Sequence, residues 1–370
     1  MRVDKPSPMI SIILPTYNEA KTIQPLITRI KRVLSGYKIE IIVVDDNSKD
    51  KTPDIVKSMK RYTPELTLVS RSHISGLGSA IKDGLMSSSG DIAIVMDSDG
   101  QHDAGSIFQL ISCLENPDYD LAIGSRFLNK NQYIGLSKKR KSGSVLANKI
   151  ARYSLRGSYS YLTDYMAGFF ALKLQPTYQY VEKVNVHGFK FLYELLSVSD
   201  GYLRAVEIPI SLDDREHGVS KLDLANVWDF LISVLHSILL RMVPRRMISF
   251  GLVGLSGIGV QLLISYILLN IFLVTFIPAI SLGVLASVCS NYCINNELTF
   301  RSQKLKGFFF VKGLIKFLLV SSLPMLANVS IASTVYGSHS ENHLVAQLAG
   351  IALSYIWNYA ASSKAVWNSP

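Results

Sequence analysis

From about residue 9 to residue 124 the chain alternates short apolar runs with longer stretches in which apolar residues recur every three or four positions. The runs Met9 to Leu14, Ile41 to Val44, Leu66 to Ser70, Ile92 to Met96 and Leu121 to Gly124 have the length of strands. The unbroken apolar character of Ile41 to Val44 predicts a strand covered on both faces. Lys21 to Leu34 places Ile23, Leu26, Ile27, Ile30, Val33 and Leu34 along one helical face, and helices are predicted over about 53–60, 76–88 and 104–114. Strands alternating with helices of this length predict right-handed βαβ crossovers, hence an α/β domain whose mainly parallel sheet carries helices on both sides.

The pattern changes after about residue 220. Leu224, Val227, Trp228, Leu231, Leu235, Ile238 and Met242 recur at helical spacing, with Asn226, Asp229, Ser233, His236 and Ser237 mostly on another face. Such a helix lies in the headgroup plane of a membrane or packs on the soluble core. Apolar segments follow at about 248–270, 275–294, 314–335 and 343–363, each near the roughly 20 residues that span a bilayer. Between Met247 and Phe300 the only charged residue is Glu297. Three domains are expected: a soluble domain over 1–220, an interfacial amphipathic helix and linker over 221–246, and a four-helix transmembrane domain over 247–370.

Lysine and arginine orient the spans. Arg241, Arg245 and Arg246 precede the first, Arg301, Lys304, Lys306, Lys312 and Lys316 lie around the second connection, and Lys364 follows the fourth. The connections around 276–278 and 337–343 carry none, so both termini are expected on the cytoplasmic side. The net charge of +10 would suit nucleic acid, but the cluster Lys138-Lys139-Arg140-Lys141 and the groups flanking the apolar segments fit anionic lipid better. Gly251, Gly254, Gly257 and Gly259 in the first segment allow close helix contact, including a homo-oligomer through these helices. Asn291, Asn295, Asn296 and Glu297 read as ordinary polar groups near the inner interface. Cys113, Cys289 and Cys293 have neither zinc-site spacing nor the pattern of a disulfide framework. The chain opens directly on a strand, so no cleavable signal peptide is expected and the soluble domain stays in the cytoplasm.

Three polar turns should gather at the carboxyl edge of the sheet, where open α/β folds bind ligands: Pro15-Thr16-Tyr17-Asn18-Glu19, Asp45-Asp46 and Asp97-Ser98-Asp99-Gly100-Gln101. Acidic residues after a strand are often mere turn formers, but convergence of the three favours a site. Asp97 and Asp99 can hold a hard divalent cation that bridges two phosphates, and Gln101 can add a carbonyl oxygen. Tyr17 can flank a base, and Asp46 can accept from a base or a ribose hydroxyl. A dinucleotide site at Gly76-Leu77-Gly78 fits badly, because Ile81 stands where the third glycine belongs and the motif follows the third strand. No phosphate-binding P-loop sequence occurs.

The runs Leu14 to Glu19, Val43 to Ser48, Asp97-Ser98-Asp99 and Gly124-Ser125-Arg126 together resemble the inverting nucleotide-sugar glycosyltransferases of family 2, with the GT-A fold. More narrowly, residues 9 to about 235 resemble the dolichol-phosphate mannose synthases. That resemblance is carried by Lys139-Arg140-Lys141, Asp164-x-x-x-Gly168-Phe169, Gly188-x-x-Phe191-x-x-Glu194 and Asp214-Arg215-x-x-Gly218-x-Ser220-Lys221-Leu222. It implies a GDP-mannose donor held by Pro15, Tyr17, Glu19, Val44, Asp46, Asp97, Ser98, Asp99, Gln101, Arg126, Arg215 and Lys221. Asp99, Arg215 and Lys221 are the catalytic candidates, stabilising the departing diphosphate together with Mg2+ or Mn2+ held by Asp97, Asp99 and Gln101.

The implied acceptor is dolichyl or another polyprenyl phosphate. A phosphate is already anionic at neutral pH, so the site needs a positive cradle rather than a base, with Arg126, Lys138, Lys139, Arg140 and Lys141 as candidates. The run Asn296 to Arg301 is similar to a motif of GtrA-like four-helix membrane proteins, which are thought to assist polyprenyl-phosphate sugars. The motifs leave open a UDP-glucose donor, or a non-catalytic carrier or flippase of lipid-linked sugar. The appended helices imply a multi-pass protein of a prokaryotic, archaeal cell membrane. A processive polysaccharide synthase is not expected, since Gln-x-x-Arg-Trp is absent.

Overall fold

The strands that read as unbroken apolar runs are those covered on both faces. In a computed structural model, β1 (Ile10–Thr16), β2 (Ile39–Asp45) and β4 (Ile92–Val95) are the inner strands of one half of a sheet, with β3 (Leu66–Ser70) at its edge. The period of two splits each strand between two cores. Ile12, Leu14, Ile41, Val43 and Ile94 face α1 (Ile23–Val33), α2 (Thr52–Lys60) and α4 (Ser106–Glu115). Ile13, Ile42, Val44, Ala93 and Val95 face α3 (Leu77–Met86) and the helices that follow later. Each fully buried aliphatic side chain contributes about 1.5–3 kcal/mol, so the two layers together hold the sheet as the middle of three.

The structure describes residues 7–72, 76–128, 138–155, 157–185, 190–210, 224–239, 241–322 and 355–368, with only the backbone of 138–142, 224, 226, 276, 277, 280 and 281. The seven-stranded sheet has the order β3-β2-β1-β4-β6-β5-β7, with β5 (Leu121–Ser125), β6 (Phe170–Lys173) and β7 (Ala205–Pro209) completing it. The pairs among β1 to β4, and β5 with β7, are parallel as expected. β6 runs antiparallel between β4 and β5, a reversal that the sequence pattern did not disclose. It arises because the chain leaves β5 through α5 (Lys138–Ser154) and a long excursion before re-entering the sheet. α6 (Leu174–Lys183) and α7 (Phe191–Ser199) then lead to β7.

α8 (Leu224–Ile238) packs its Ser233 side into the first unit rather than its apolar stripe. Ile232, Ser233 and Val234 are buried, Phe230 meets Tyr193 edge-on at 5.8 Å, and Ser237 Oγ lies 2.9 Å from Ser197 Oγ. Val227, Leu231 and Ile238, from the predicted apolar stripe, are exposed. On α5, which packs beside α8, Leu146 and Tyr153 are exposed as well.

By its internal contacts the chain divides into Met1–Ile238 and Leu239–Pro370. In the second unit α9 (Arg245–Asn270) and α10 (Phe276–Ile294) pack together, a π-helix spans Asn295–Thr299, and residues 308–322 and 355–365 are helical. Among the described residues α9 is the one helix long and apolar enough to cross a membrane. The remainder of the predicted third and fourth spans, 323–335 and 343–354, lies outside the described residues. Asn296 is not ordinary interfacial polarity. Its side chain is buried, accepts from Leu305 N at 2.9 Å and from Trp367 Nε1 at 3.0 Å, and donates to Leu305 O at 3.1 Å. Trp367 stacks on Phe300 at 4.2 Å, so the run from Asn296 to Arg301 clasps the end of the chain.

Candidate active site

β2, β1 and β4 are neighbours and run in one direction, so their carboxyl ends bring the three signature turns together. The turns are also bonded to one another. Ser98 Oγ donates to Pro15 O at 2.9 Å, Asn18 N donates to Ser48 Oγ at 2.8 Å, and Lys49 N donates to Asn18 Oδ1 at 2.8 Å. Glu19 starts α1: its backbone oxygen accepts from Thr22 N and Ile23 N, and its carboxylate accepts from Thr22 Oγ1 at 2.9 Å. Tyr17 stands 46% exposed at the rim, free to meet a planar group. Pro15 and Val44 are buried and pair with each other across β1 and β2, and the Val44 carbonyl accepts from Thr16 Oγ1.

Asp46 is more constrained than its motif suggests. Its Oδ1 lies 3.0 Å from Arg71 Nη1, and its Oδ2 accepts from Gly76 N at 2.9 Å. Arg71 also pairs with Asp83 and bonds Ser79, so the carboxylate is anchored from the α3 side. Its neighbour Asp45 is buried, with Oδ2 accepting from Ser48 N and Oδ1 lacking a partner.

At the acidic turn, Gly100 adopts a positive φ of 78°, and Gln101 N donates to Asp99 Oδ1 at 3.2 Å. Asp97 Oδ2 lies 3.6 Å from Nε2 of buried His102, whose ring packs 5.1 Å from Phe169. Surrounding protein opposes ionisation of Asp97, but His102, then the charges of Lys190 and Arg126, outweigh it and hold the carboxyl below its ordinary value. Lys190 is pushed down by burial and by the like charge of Arg126, against the pull of Asp97 and Asp164.

Arg126 reaches this centre fixed by a partner. Its guanidinium makes a two-point pair with fully buried Asp164, and although burial disfavours its charge, Asp164 and Asp97 keep it fully protonated. Behind it, Glu207 accepts from Thr163 N and Asp164 N, fixing the segment that carries Asp164. Lys138, Lys139, Arg140 and Lys141 form the first turn of α5; their side chains lie outside the described residues, as do Arg215 and Lys221 entirely.

Sequence reasoning missed Arg71, His102 and Lys190. His102 adjoins Gln101, and Lys190 lies inside a quoted motif at an unspecified position, but nothing in their spacing marked them. Asp164 and Gly168 stood in a quoted motif without a role.

The donor set suits a hard divalent cation: two carboxylates and an amide oxygen, with one carboxyl held ionised. Among the described residues no group of three or more His, Cys, Asp or Glu could hold a metal by itself, so such a cation would need oxygens from elsewhere, as a diphosphate supplies.

A three-layer α/β domain with this strand order and three converging turns, the acidic one on β4, has the GT-A fold of nucleotide-sugar glycosyltransferases. Residues 11–175 match glycosyl transferase family 2, and residues 249–367 match the GtrA/DPMS transmembrane domain, which makes this a membrane protein. The dolichol-phosphate mannosyltransferase of Pyrococcus furiosus is 31% identical over 97% of this chain and 99% of its own. That of Mycosarcoma maydis is 28% identical over 59% of this chain and 74% of its own. The chain therefore belongs to the dolichol-phosphate mannosyltransferase family. A solved structure of glucosyl-3-phosphoglycerate synthase from Mycobacterium tuberculosis is 21% identical, with a TM-score of 0.47 over 62% of this chain and 80% of that one.

Proposed function

We propose that the protein transfers mannose, with inversion, from GDP-mannose to dolichyl or another polyprenyl phosphate at the cytoplasmic face of a prokaryotic cell membrane. The observation that carries this reading is the identity of 31% to a dolichol-phosphate mannosyltransferase over nearly the whole of both chains. The gathering of the acidic turn, Arg126 and Lys190 at one edge of the sheet supports it.

In the reaction a phosphate oxygen of the lipid attacks C1 of the mannose from the face opposite the nucleotide. The bond from C1 to the β-phosphate oxygen breaks, and GDP departs with that electron pair. The attacking oxygen carries charge already, so no residue has to remove a proton. The work of the protein is alignment and charge stabilisation. Tyr17 flanks the base, the anchored Asp46 accepts from base or ribose, and Pro15, Glu19, Val44 and Ser98 shape the pocket. Asp97, Asp99 and Gln101 would hold Mg2+ or Mn2+, which would supply a Lewis acid for the leaving diphosphate. Arg126 presents fixed positive charge to a phosphate, with Lys138 to Lys141 at the acceptor and Arg215 and Lys221 at the donor diphosphate.

The exposed stripe of α8, with Leu146 and Tyr153 of α5, rests in the headgroup region and keeps the acceptor phosphate near the site. The second unit crosses the bilayer four times with both termini inside. Membranes containing the protein, incubated with labelled GDP-mannose or UDP-glucose, test the assignment. Lipid-linked mannose is expected; product from UDP-glucose alone would transfer the reading to a glucosyltransferase, and product from neither would favour a carrier.

A further inference from the structure

The acidic turn after β4 and the segment 164–169 before β6 interlock at three points. Phe169 packs its ring against His102. Asp164 holds Arg126, whose charge acts on Asp97. Gly168 lies directly against Asp97: a Cβ there would overlap Oδ2 and approach Cγ to 2.9 Å and Oδ1 to 3.0 Å. The backbone of Gly168 is not in the left-handed region, so glycine is needed for room rather than for conformation. His102 Nε2 faces the same oxygen, Asp97 Oδ2, at 3.6 Å, while its Nδ1 is buried without a partner. A buried histidine with one nitrogen orphaned bears a desolvation cost that a hydrophobic side chain would avoid. The Asp97 contact is what this ring does.

We propose that Gly168 and His102 are positioning residues that together aim the Asp97 carboxylate, so that the affinity for a divalent cation is set from the 164–169 segment. Gly168 leaves the space in which the carboxylate lies, and His102 holds Oδ2, the oxygen nearest Gly168. This rests on the cation reading given above. An added methyl at Gly168 meets the far end of a rotatable side chain, so the carboxylate would turn aside while the backbone stays in place. Loss of a group that orients a ligand typically weakens metal affinity about 10–100-fold.

The test is Mn2+ binding to the full-length protein in detergent with GDP present, followed by the electron paramagnetic resonance signal of free Mn2+. The melting temperature is measured alongside. Gly168→Ala and His102→Phe are expected to weaken binding at least about tenfold with melting near that of the parent. His102→Gln, whose amide nitrogen can reach the place of Nε2, should recover most of the affinity. Half-saturating Mn2+ in turnover should rise in the same order, with a smaller change in kcat at saturating Mn2+. Parental Mn2+ affinity in both Gly168→Ala and His102→Phe overturns the proposal. His102→Gln no better than His102→Phe removes His102 from it. Should Gly168→Ala melt early, the His102 pair decides. Asp99→Ala separates the two levels: if it binds Mn2+ as the parent does, the cation reading itself falls.

Discussion

Arg126 and Asp164 form a two-point pair, Nε to Oδ2 at 2.7 Å and Nη2 to Oδ1 at 2.9 Å, in which the carboxylate is fully buried and the guanidinium side chain 20% exposed. Asp164 also accepts from Met166 N at 3.2 Å. The pair therefore couples a structural buried charge to a cation that faces the site.

Removing the arginine would leave that carboxylate buried beside backbone donors alone. Arg126→Ala should lose about 3–5 kcal/mol of stability in the first unit, visible as an earlier thermal transition. Arg126→Lys should melt closer to the parent yet lose turnover, because an ammonium cannot reproduce the two parallel bonds.

Asp99 accepts from Gln101 N within its own turn and is only half-buried, so its removal should cost the fold little. Asp99→Ala should lower turnover at least about a hundredfold with unchanged melting. Parental turnover by this variant in excess chelator would defeat the cation mechanism.

Arg204 Nε and Nη2 each donate to Asp120 at 2.9 Å, and these bonds hold the Asp120 carboxyl below the ordinary range of an aspartate. A depressed carboxyl pKa stabilises the fold above the unfolded value, and that contribution is lost as pH falls from the ordinary aspartate range toward the lower folded value. Asp120→Asn should thus lower the melting temperature at neutral pH and flatten its acid limb. Because Arg204 is half exposed, the effect should be small and weaken with salt.

A fragment ending after Arg246 should fold and bind anionic vesicles through the exposed residues of α8. Leu231, 40% exposed, is the place to test it. Leu231→Asp should reduce co-sedimentation with vesicles while leaving melting within about 1 kcal/mol of the parent fragment.

In the second unit, Asn296→Ala would orphan Leu305 N, Leu305 O and Trp367 Nε1 together. It should destabilise the unit by about 2–4 kcal/mol and expose the indole, read as a shift in tryptophan emission and earlier unfolding in detergent.

Much of this architecture was legible in advance because it is periodic. Apolar runs at strand length marked β1 to β5 to within a residue or two at most ends, since a strand covered on both faces tolerates few polar residues. The three turns were legible for a related reason: carboxyl ends of parallel strands carry the polar residues that end each run. β6 and β7 were not found, as four or five residues amid helices leave too short a pattern to distinguish. The clasp by Asn296 was missed because its partners lie 9 and 71 positions away.

The sequence by itself determined the α/β domain, the acidic turn at Asp97 and Asp99, the apolar segments and, through its motifs, the family. Tertiary structure alone decided which groups meet: Arg71 with Asp46, Asp164 with Arg126, and both Gly168 and His102 with Asp97. Local periodicity reports which face of an element is buried. It carries no information on which distant side chain arrives there, because that depends on sheet order and on the antiparallel entry of β6, set by the packing of the whole domain.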